Sequence, residues 1–164
     1  AVYEKDKSIK IGNYVPGTKI PIVSDKYLKI IAETLKAHGS KKAWVVNGYD
    51  GMDEITLTGN TKVAELANNE IKEFDIDPLK YNFKICSLKS LQGGTPKENA
   101  KKMINLFDGE QGSYRNIVIL NSAATFLIGD KVKNFEDGIE LSKSIIDSGK
   151  ALDTLNKLKT ISNE

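Results

Sequence analysis

The chain has few of the residues that most often carry acid–base or nucleophilic chemistry. Its 164 residues include one histidine, His38, and one cysteine, Cys86. A single cysteine excludes an internal disulfide framework and is typical of a reducing compartment, so we expect a cytoplasmic protein. Arg115 is the only arginine among 24 basic residues, so bidentate recognition of an anion by arginine has a single candidate.

Long apolar runs are also absent. No stretch of about 18 apolar residues occurs, and the first residues, AVYEKDKS, lack the features of a signal peptide. The formal net charge of +2 is too small to indicate a nucleic-acid or membrane partner. Hydrophobic residues make up 40% and charged residues 28%, which is ordinary for a globular protein. We therefore expect one domain with a core and neither nucleic acid nor membrane as partner.

Two adjacent carboxylates, Asp53 and Glu54, stand out in residues 43–61, AWVVNGYDGMDEITLTGNT. The apolar start of this stretch predicts a buried strand, and three glycines punctuate the loop that follows. A loop at the end of a strand is where α/β proteins often build ligand sites. Two converging carboxylates with no histidine or cysteine beside them suit Mg²⁺ better than Zn²⁺. The alternative is a solvated acidic loop.

The segment before this loop predicts a helix. Ser24 is a candidate N-cap, and Gly39 ends the helix. An apolar stripe at helical spacing is expected to face a sheet. The stripe consists of Tyr27, Leu28, Ile31 and Leu35. His38 falls in the last turn, where we expect it to interact with the helix terminus and not to act as a general base.

The segments after the acid pair predict a hairpin and then a series of helices. Residues 63–66 and 71–76 flank Asn68-Asn69, a pair that tolerates the turn of a β-hairpin. Asp77-Pro78 predicts a turn or short helix. Gly93-Gly94 precede a helix for which Thr95, Pro96 and Glu98 provide a capping box. That helix terminus is an alternative phosphate site, although neither common phosphate-loop motif is present.

The apolar run at 114–127 is ambiguous by periodicity between a buried strand and a buried helix, and its length, with Asn121 and Ser122 in mid-run, favours a helix. Two further helices are predicted at 135–146 and 151–161, the last with leucines at three-residue steps. We expect Arg115 to form a surface ion pair. Cys86 lies in an extended segment, and we expect a small buried hydrophobic residue there, not a nucleophile.

The stretch from His38 to Leu66 closely resembles the carboxyl-terminal part of the anthranilate phosphoribosyltransferase family. The family pattern, a V-V-H-G-type strand end followed by G-x-D-E-[IV]-[ST]-x-x-G-x-T, is matched by Val45, Val46, Asn47, Gly48, Gly51, Asp53, Glu54, Ile55, Thr56, Gly59 and Thr61. Asn47 stands where the family often has histidine. Further matches are residues 93–100, 120–124 and 142–151, and the resemblance extends from about residue 21 to the end.

The predicted elements together indicate an α/β fold, a sheet with flanking helices, a β-hairpin excursion and a helical carboxyl-terminal tail. The extent of the resemblance divides the chain into a 1–20 arm of uncertain origin, with two predicted short strands, and a 21–164 α/β domain. The resemblance also implies that Asp53 and Glu54 hold Mg²⁺ on the pyrophosphate of phosphoribosyl pyrophosphate, whose phosphoribosyl group is transferred to anthranilate in tryptophan biosynthesis. No catalytic side chain is predicted in this chain.

The family's phosphoribosyl-binding and anthranilate-binding motifs are absent from this sequence. We therefore expect a part of such a transferase that is inactive alone and that requires a complementary amino-terminal half or a homo-oligomer. The alternative is an isolated or engineered non-catalytic α/β domain that serves as a binding or assembly module. A nucleoside phosphorylase of similar architecture is a third candidate, but its phosphate-binding motif is equally absent.

Overall fold

The computed structural model describes the backbone of residues 2–5 and, with side chains, residues 25–163. In chain order its elements are strand β1 (Val2–Lys5), a 3-10 turn (Asp25–Tyr27), helix α1 (Leu28–Ala37), strands β2 (Lys42–Gly48), β3 (Thr61–Ala67) and β4 (Glu70–Ile76), a second 3-10 turn (Pro78–Tyr81) and helices α2 (Leu88–Leu91), α3 (Pro96–Phe107), α4 (Ser113–Ile128), α5 (Phe135–Asp147) and α6 (Lys150–Ser162). The predicted α/β class is confirmed.

Within the described residues the sheet has the order β1-β2-β3-β4, and each neighbouring pair is antiparallel. Strand β1 was not predicted. The two strands predicted at 8–11 and 18–23, and the Ser24 cap, lie outside the described residues. The division into a 1–20 arm and a 21–164 domain stays a prediction.

Strand β2 is buried along nearly its whole length because helices cover both of its faces. Val45 packs with Leu28 and Ala32 of α1 on one face. On the other face, Trp44 and Val46 join the main core with α4 and α5. The alternation of side chains along the strand therefore assigns neighbouring residues to separate cores. Each fully buried Val, Leu or Ile contributes about 1.5–3 kcal/mol to folding.

The hairpin predicted around Asn68 and Asn69 is confirmed. The two asparagines have φ values of 50° and 64° and join β3 to β4. Two consecutive left-handed residues match the right-handed twist of the flanking strands, which is why asparagine suits both positions. Cross-strand pairs run from Ala67 with Glu70 to Thr61 with Ile76.

Helix α1 confirms the predicted apolar stripe in part. Leu28 is fully buried, whereas Tyr27 lies in the preceding 3-10 turn and is 45% exposed. Tyr27 is the N-cap of α1 and gives no side-chain hydrogen bond. The helix ends as predicted, with Gly39 at a φ of +90°. His38 is the exposed C-cap.

Helices α4 and α5 form the main layer against the sheet. The ambiguous apolar run at 114–127 is a helix, as the sequence interpretation favoured. Gly138 of α5 lies against the backbone of Ala123, where a Cβ would stand 2.8 Å from the Ala123 carbonyl oxygen. The two helices therefore cross at close range, which only a residue without a side chain permits. None of the helices in residues 25–163 is both long and apolar enough to cross a membrane.

Helix α3 begins with the predicted capping box: Thr95 Oγ1 accepts from Glu98 N, and Thr95 N donates to the Glu98 carboxylate. Leu106 is buried, whereas Met103 is 39% exposed. Helix α6 forms at the predicted place, but Leu158 is 62% exposed, so the last turns of this helix are only loosely packed.

Candidate functional site

The loop between β2 and β3, residues 49–60, carries the acid pair and is called the acid loop here. Gly48 and Thr61 are paired across the two strands, and Tyr49 N donates to Asn60 O at 3.0 Å. Gly48 N also donates to Met52 O at 2.8 Å. The loop is therefore closed by backbone hydrogen bonds at its base, and its position at the end of β2 is the predicted one.

Two glycines make the first turn of the acid loop possible. Gly51 has a φ of +88°, and its N–H donates to Gly48 O at 2.9 Å. A Cβ on Gly48 would stand 2.5 Å from Asp50 Oδ1 and 3.0 Å from Thr56 Cγ2. Gly48 is needed for close approach and Gly51 for its left-handed backbone.

Asp50 holds the acid loop together from inside. Its Oδ1 accepts from Met52 N at 3.0 Å, and its Oδ2 accepts from Thr56 Oγ1 at 2.7 Å and from the Thr58 hydroxyl. Partial burial acts to raise the pKa of Asp50, but the hydrogen bonds from Thr58, Met52 N and Thr56 outweigh it and hold that pKa below its ordinary value. Asp50 is therefore an ionised structural residue.

The stretch just after the acid pair is anchored to helix α4. Asn121 Oδ1 accepts from Ile55 N at 3.0 Å, and its Nδ2 donates to Ile55 O at 2.9 Å. Ile55 and Leu57 are completely buried, and Thr56 N donates to Thr61 Oγ1 at 3.0 Å. The backbone next to Glu54 is thus tied to a rigid helix and to a strand.

The acid pair itself differs from Asp50. Asp53 is exposed and Glu54 is half-buried. No hydrogen bond or ion pair within the described residues engages either carboxylate. Burial raises the pKa of Glu54, and the neighbouring charge of Asp53 raises it further. The two charges therefore repel each other, and neither carboxylate accepts a hydrogen bond from a described residue, which is an electrostatic setting that a cation relieves.

The donor set fits a magnesium ion. Residues 25–163 contain no group of three or more histidine, cysteine, aspartate or glutamate side chains that could hold a metal by themselves. Magnesium typically binds to one or two carboxylates and takes its other ligands from water and phosphate. Asp53 and Glu54 supply that number of carboxylates, whereas a closed protein cage for zinc would need four ligands.

Glu54 also borders a cleft of about 390 Å³ along helix α4. Its other walls include the side chains of Tyr114, Asn121, Ser122 and Thr125. The cleft places hydroxyl and amide groups beside a carboxylate, which is a suitable lining for a polar ligand.

The remaining candidate residues lie outside the acid loop, although Cys86 contacts it through its backbone. Arg115 is 5% exposed, so the predicted surface position is wrong, but the predicted ion pair exists: Nη2 donates to both carboxylate oxygens of Asp147 at 2.7 and 2.9 Å. The burial arises because Arg115 lies in the first turn of the core helix α4. Cys86 is half-buried, and its N–H donates to Leu57 O at 3.0 Å. His38 lies at the end of α1, outside the acid loop.

Two residues that organise the acid loop were not singled out by sequence reasoning. Asp50 precedes the acid pair by three residues, and its partners Thr56 and Thr58 lie on the same side of the loop. Asn121 falls in the matched stretch 120–124, where it favours a buried helix over a strand but shows no link to the acid loop. The available signal was a polar residue within an otherwise apolar helix, which indicates a buried hydrogen-bonding role.

Comparison with known proteins identifies the relatives of this chain. Residues 15–152 match the model of the glycosyl transferase family, a/b domain. An anthranilate phosphoribosyltransferase from Brucella ovis is 41% identical over 145 residues, which is 88% of this chain and 42% of the relative. The same enzyme from Phenylobacterium zucineum is 40% identical over 142 residues, with 87% and 42% covered. The chain thus spans about two fifths of the length of these curated relatives.

Solved structures show the same likeness. The crystal structure of anthranilate phosphoribosyltransferase from Thermus thermophilus superposes with a TM-score of 0.74 at 30% identity, covering 82% of this chain and 39% of that chain. The Saccharomyces cerevisiae enzyme in complex with PRPP and Mg superposes with a TM-score of 0.71 at 22% identity, covering 81% and 39%. The second comparison bears on the fold alone. The resemblance stated from the motifs is confirmed.

Proposed function

The chain belongs to the glycosyl transferase family through its a/b domain, and from that premise we propose that it supplies the Mg²⁺-pyrophosphate site of a phosphoribosyl transfer to anthranilate. Asp53 and Glu54 would hold the metal. The activity, its substrates and its place in tryptophan biosynthesis belong to relatives of which this chain spans about two fifths. For this chain they are part of the proposal.

One observation carries the assignment of the metal site. Asp50, Asp53 and Glu54 lie in one loop, yet only Asp50 accepts hydrogen bonds within the described residues. The loop thus satisfies its structural carboxylate and leaves the other two available to a ligand. Bound Mg²⁺ would neutralise the charge that develops on a departing pyrophosphate.

The protein's own part in this function is to hold the acid loop in place and to position its two carboxylates. Asn121 fixes the backbone at Ile55, and Asp50 fixes the turn before the acid pair. A fixed loop presents the carboxylates without a cost of ordering them when the ligand binds. The cleft bordered by Glu54 gives a phosphorylated ligand a place to lie. No histidine or cysteine is required for these tasks.

The remaining contacts to phosphoribosyl pyrophosphate and anthranilate would come from residues outside this chain, from a complementary amino-terminal half or a second copy. Exposed apolar side chains are available for such an association, among them Ile85 at 44% and Leu88 at 54% exposure. We propose that the chain is inactive alone for this reason, and that it works in the cytoplasm.

The experiment has two readouts on the purified chain and on an Asp53→Asn/Glu54→Gln variant. Calorimetry with phosphoribosyl pyrophosphate should show binding that requires Mg²⁺ and is at least tenfold weaker in the variant, since charged hydrogen-bonding groups contribute about 1.5–3 kcal/mol each. Loss of anthranilate fluorescence should show no turnover with the chain alone. Equal, metal-independent binding by both proteins would overturn the metal site, and turnover by the chain alone would overturn the need for further residues.

A non-catalytic binding or assembly module is the second candidate, and strand β1 favours it. Residues Val2–Lys5 pair antiparallel with β2 and cover the edge that β2 would otherwise leave open. Strand β1 then forms the edge itself, and with only 4 residues it is a poor template for pairing with other chains, which suits a domain that stands alone. If calorimetry detects no Mg²⁺-dependent binding while the chain folds and remains monomeric in sedimentation, this candidate replaces the first.

A further inference from the structure

A second pocket, of about 460 Å³, lies at the amino terminus of helix α4. Its walls include Gly112, Ser113 and Arg115 from the start of this helix. Lys102 of α3 and Gln92, which precedes α3, also line it. Glu54 borders the neighbouring cleft and not this pocket. The pocket is therefore distinct from the acid pair.

Within the described residues, no N-cap side chain engages the backbone donors at the start of α4. Gly112 is the N-cap and provides no side-chain hydrogen bond, in contrast to Thr95 before α3 and Asn134 before α5. The first N–H groups of any α-helix have no partner within the helix. In a helix of 16 residues, these groups together with the helix dipole favour an anion.

Arg115 provides a second and independent indication. It is 5% exposed and lines the pocket, and its Nη2 is engaged by Asp147. Its Nη1, by contrast, is buried and has no hydrogen-bond partner within the described residues. A buried guanidinium nitrogen without an acceptor is unfavourable, and an oxyanion in the adjoining pocket would supply the missing acceptor.

The charges around the pocket are mixed but favour an anion. Lys102 lines the pocket and donates its Nζ to Gln92 O at 3.0 Å, which leaves further N–H donors on the ammonium group. Glu110 also lines the pocket, but it is exposed to solvent. The charge of Arg115 is shared with Asp147. Lys102 and the helix terminus therefore supply most of the attraction.

We propose that this pocket binds a phosphate-class oxyanion, either inorganic phosphate or pyrophosphate, held by the first N–H groups of α4, Arg115 Nη1 and Lys102. The volume is ample for either anion and falls within the range of small-molecule sites. The proposal depends neither on Mg²⁺ nor on the acid pair, so it can fail or hold independently of the transferase function.

The test is calorimetric titration of the chain with inorganic phosphate and, separately, pyrophosphate, in EDTA and at constant ionic strength in chloride. Ser113→Pro removes one N–H at the first helical position, where proline is favoured, and Ser113→Ala is the matched control that keeps it. We expect saturable binding that Ser113→Pro weakens about tenfold, the effect of one charged hydrogen bond. Ser113→Ala should bind as wild type does, and Lys102→Gln several-fold more weakly. The anion that binds with the higher affinity, inorganic phosphate or pyrophosphate, is the ligand that the pocket fits better.

An Asp53→Asn/Glu54→Gln variant separates this proposal from the transferase function. In EDTA it should bind the anion as tightly as wild type. The proposal is overturned if neither anion binds, if Ser113→Pro and Ser113→Ala bind equally well, or if binding is lost only in the acid-pair variant. Circular dichroism of each variant establishes that the helix is intact.

Discussion

Asp50 differs from the Asp53–Glu54 pair although all three carboxylates lie in the acid loop. Asp50 accepts from two hydroxyls and one backbone N–H, and its pKa is lowered although partial burial opposes the shift. Glu54 accepts no hydrogen bond within the described residues, and burial and Asp53 raise its pKa. The difference shows how one loop can use one acid to build its shape and keep two for a ligand.

A substitution at the base of the acid loop should have the largest effect on stability. Gly48→Ala should lower the free energy of unfolding by about 2–3 kcal/mol, because the new methyl group overlaps Asp50 and Thr56 in a packed turn. Gly59→Ala is the control in the same loop, since a Cβ there has open space around it. Urea denaturation measures both. Equal stability of the two variants would show that the Asp50 turn is not tightly packed.

Loss of the hydrogen bonds between Asn121 of α4 and Ile55 should have the next largest effect on stability. Asn121→Ala should cost about 2 kcal/mol, because it leaves the N–H and carbonyl of the buried Ile55 without partners. Ser122→Ala, its neighbour on the cleft side, should change stability by less than about 0.5 kcal/mol. Thermal and urea denaturation compare the two. An Asn121 variant as stable as the Ser122 variant would contradict the anchoring role.

Asp50→Asn should cost about 1 kcal/mol at pH 6, because the ionised form is the better acceptor for three donors. The folded pKa of Asp50 lies below the ordinary 3.8, so its stabilising effect is present above pH 3.8 and is lost as the pH falls through the folded value. The gap between wild type and variant should therefore narrow between pH 6 and pH 3 in urea denaturation. A gap that is constant with pH would mean that the charge of Asp50 is not what holds the loop.

Glu54→Gln should have the smallest effect on stability and the opposite sign. Its pKa is raised by burial and by Asp53, so the charged form is unfavourable at neutral pH, and a neutral side chain should leave the protein as stable or more stable by up to about 0.5 kcal/mol. Glu73→Gln on the exposed side of β4 serves as the reference. A destabilisation as large as that of Asp50→Asn would place Glu54 in the framework of the loop.

The sequence was sufficient for the parts of the fold that local chemistry determines. The capping box at Thr95, the Asn68-Asn69 hairpin and the helix end at Gly39 each depend on residues within a few positions of one another. The acid pair was also identified from the sequence, through its place in a family pattern. Whether it binds a metal stays a prediction.

Long-range contacts explain what the sequence did not reveal. The Arg115 ion pair joins helices α4 and α5 across 32 residues, and the Asn121 anchor spans 66 residues. Neither separation leaves a local pattern. The pairing of β1 with β2 likewise brings together residues about 40 positions apart. No periodicity in the first strand predicts this pairing.

The roles of the three carboxylates are tested most directly by calorimetry of phosphoribosyl pyrophosphate with Mg²⁺ on wild type, Asp50→Asn and Asp53→Asn/Glu54→Gln. We expect the acid-pair variant to fold as stably as wild type and to bind at least about tenfold more weakly in the presence of Mg²⁺. The folded Asp50→Asn variant should keep most of the Mg²⁺-dependent binding. Binding that survives in the acid-pair variant, or that is lost only in Asp50→Asn, would contradict the division of the loop into a structural and a ligand-binding part.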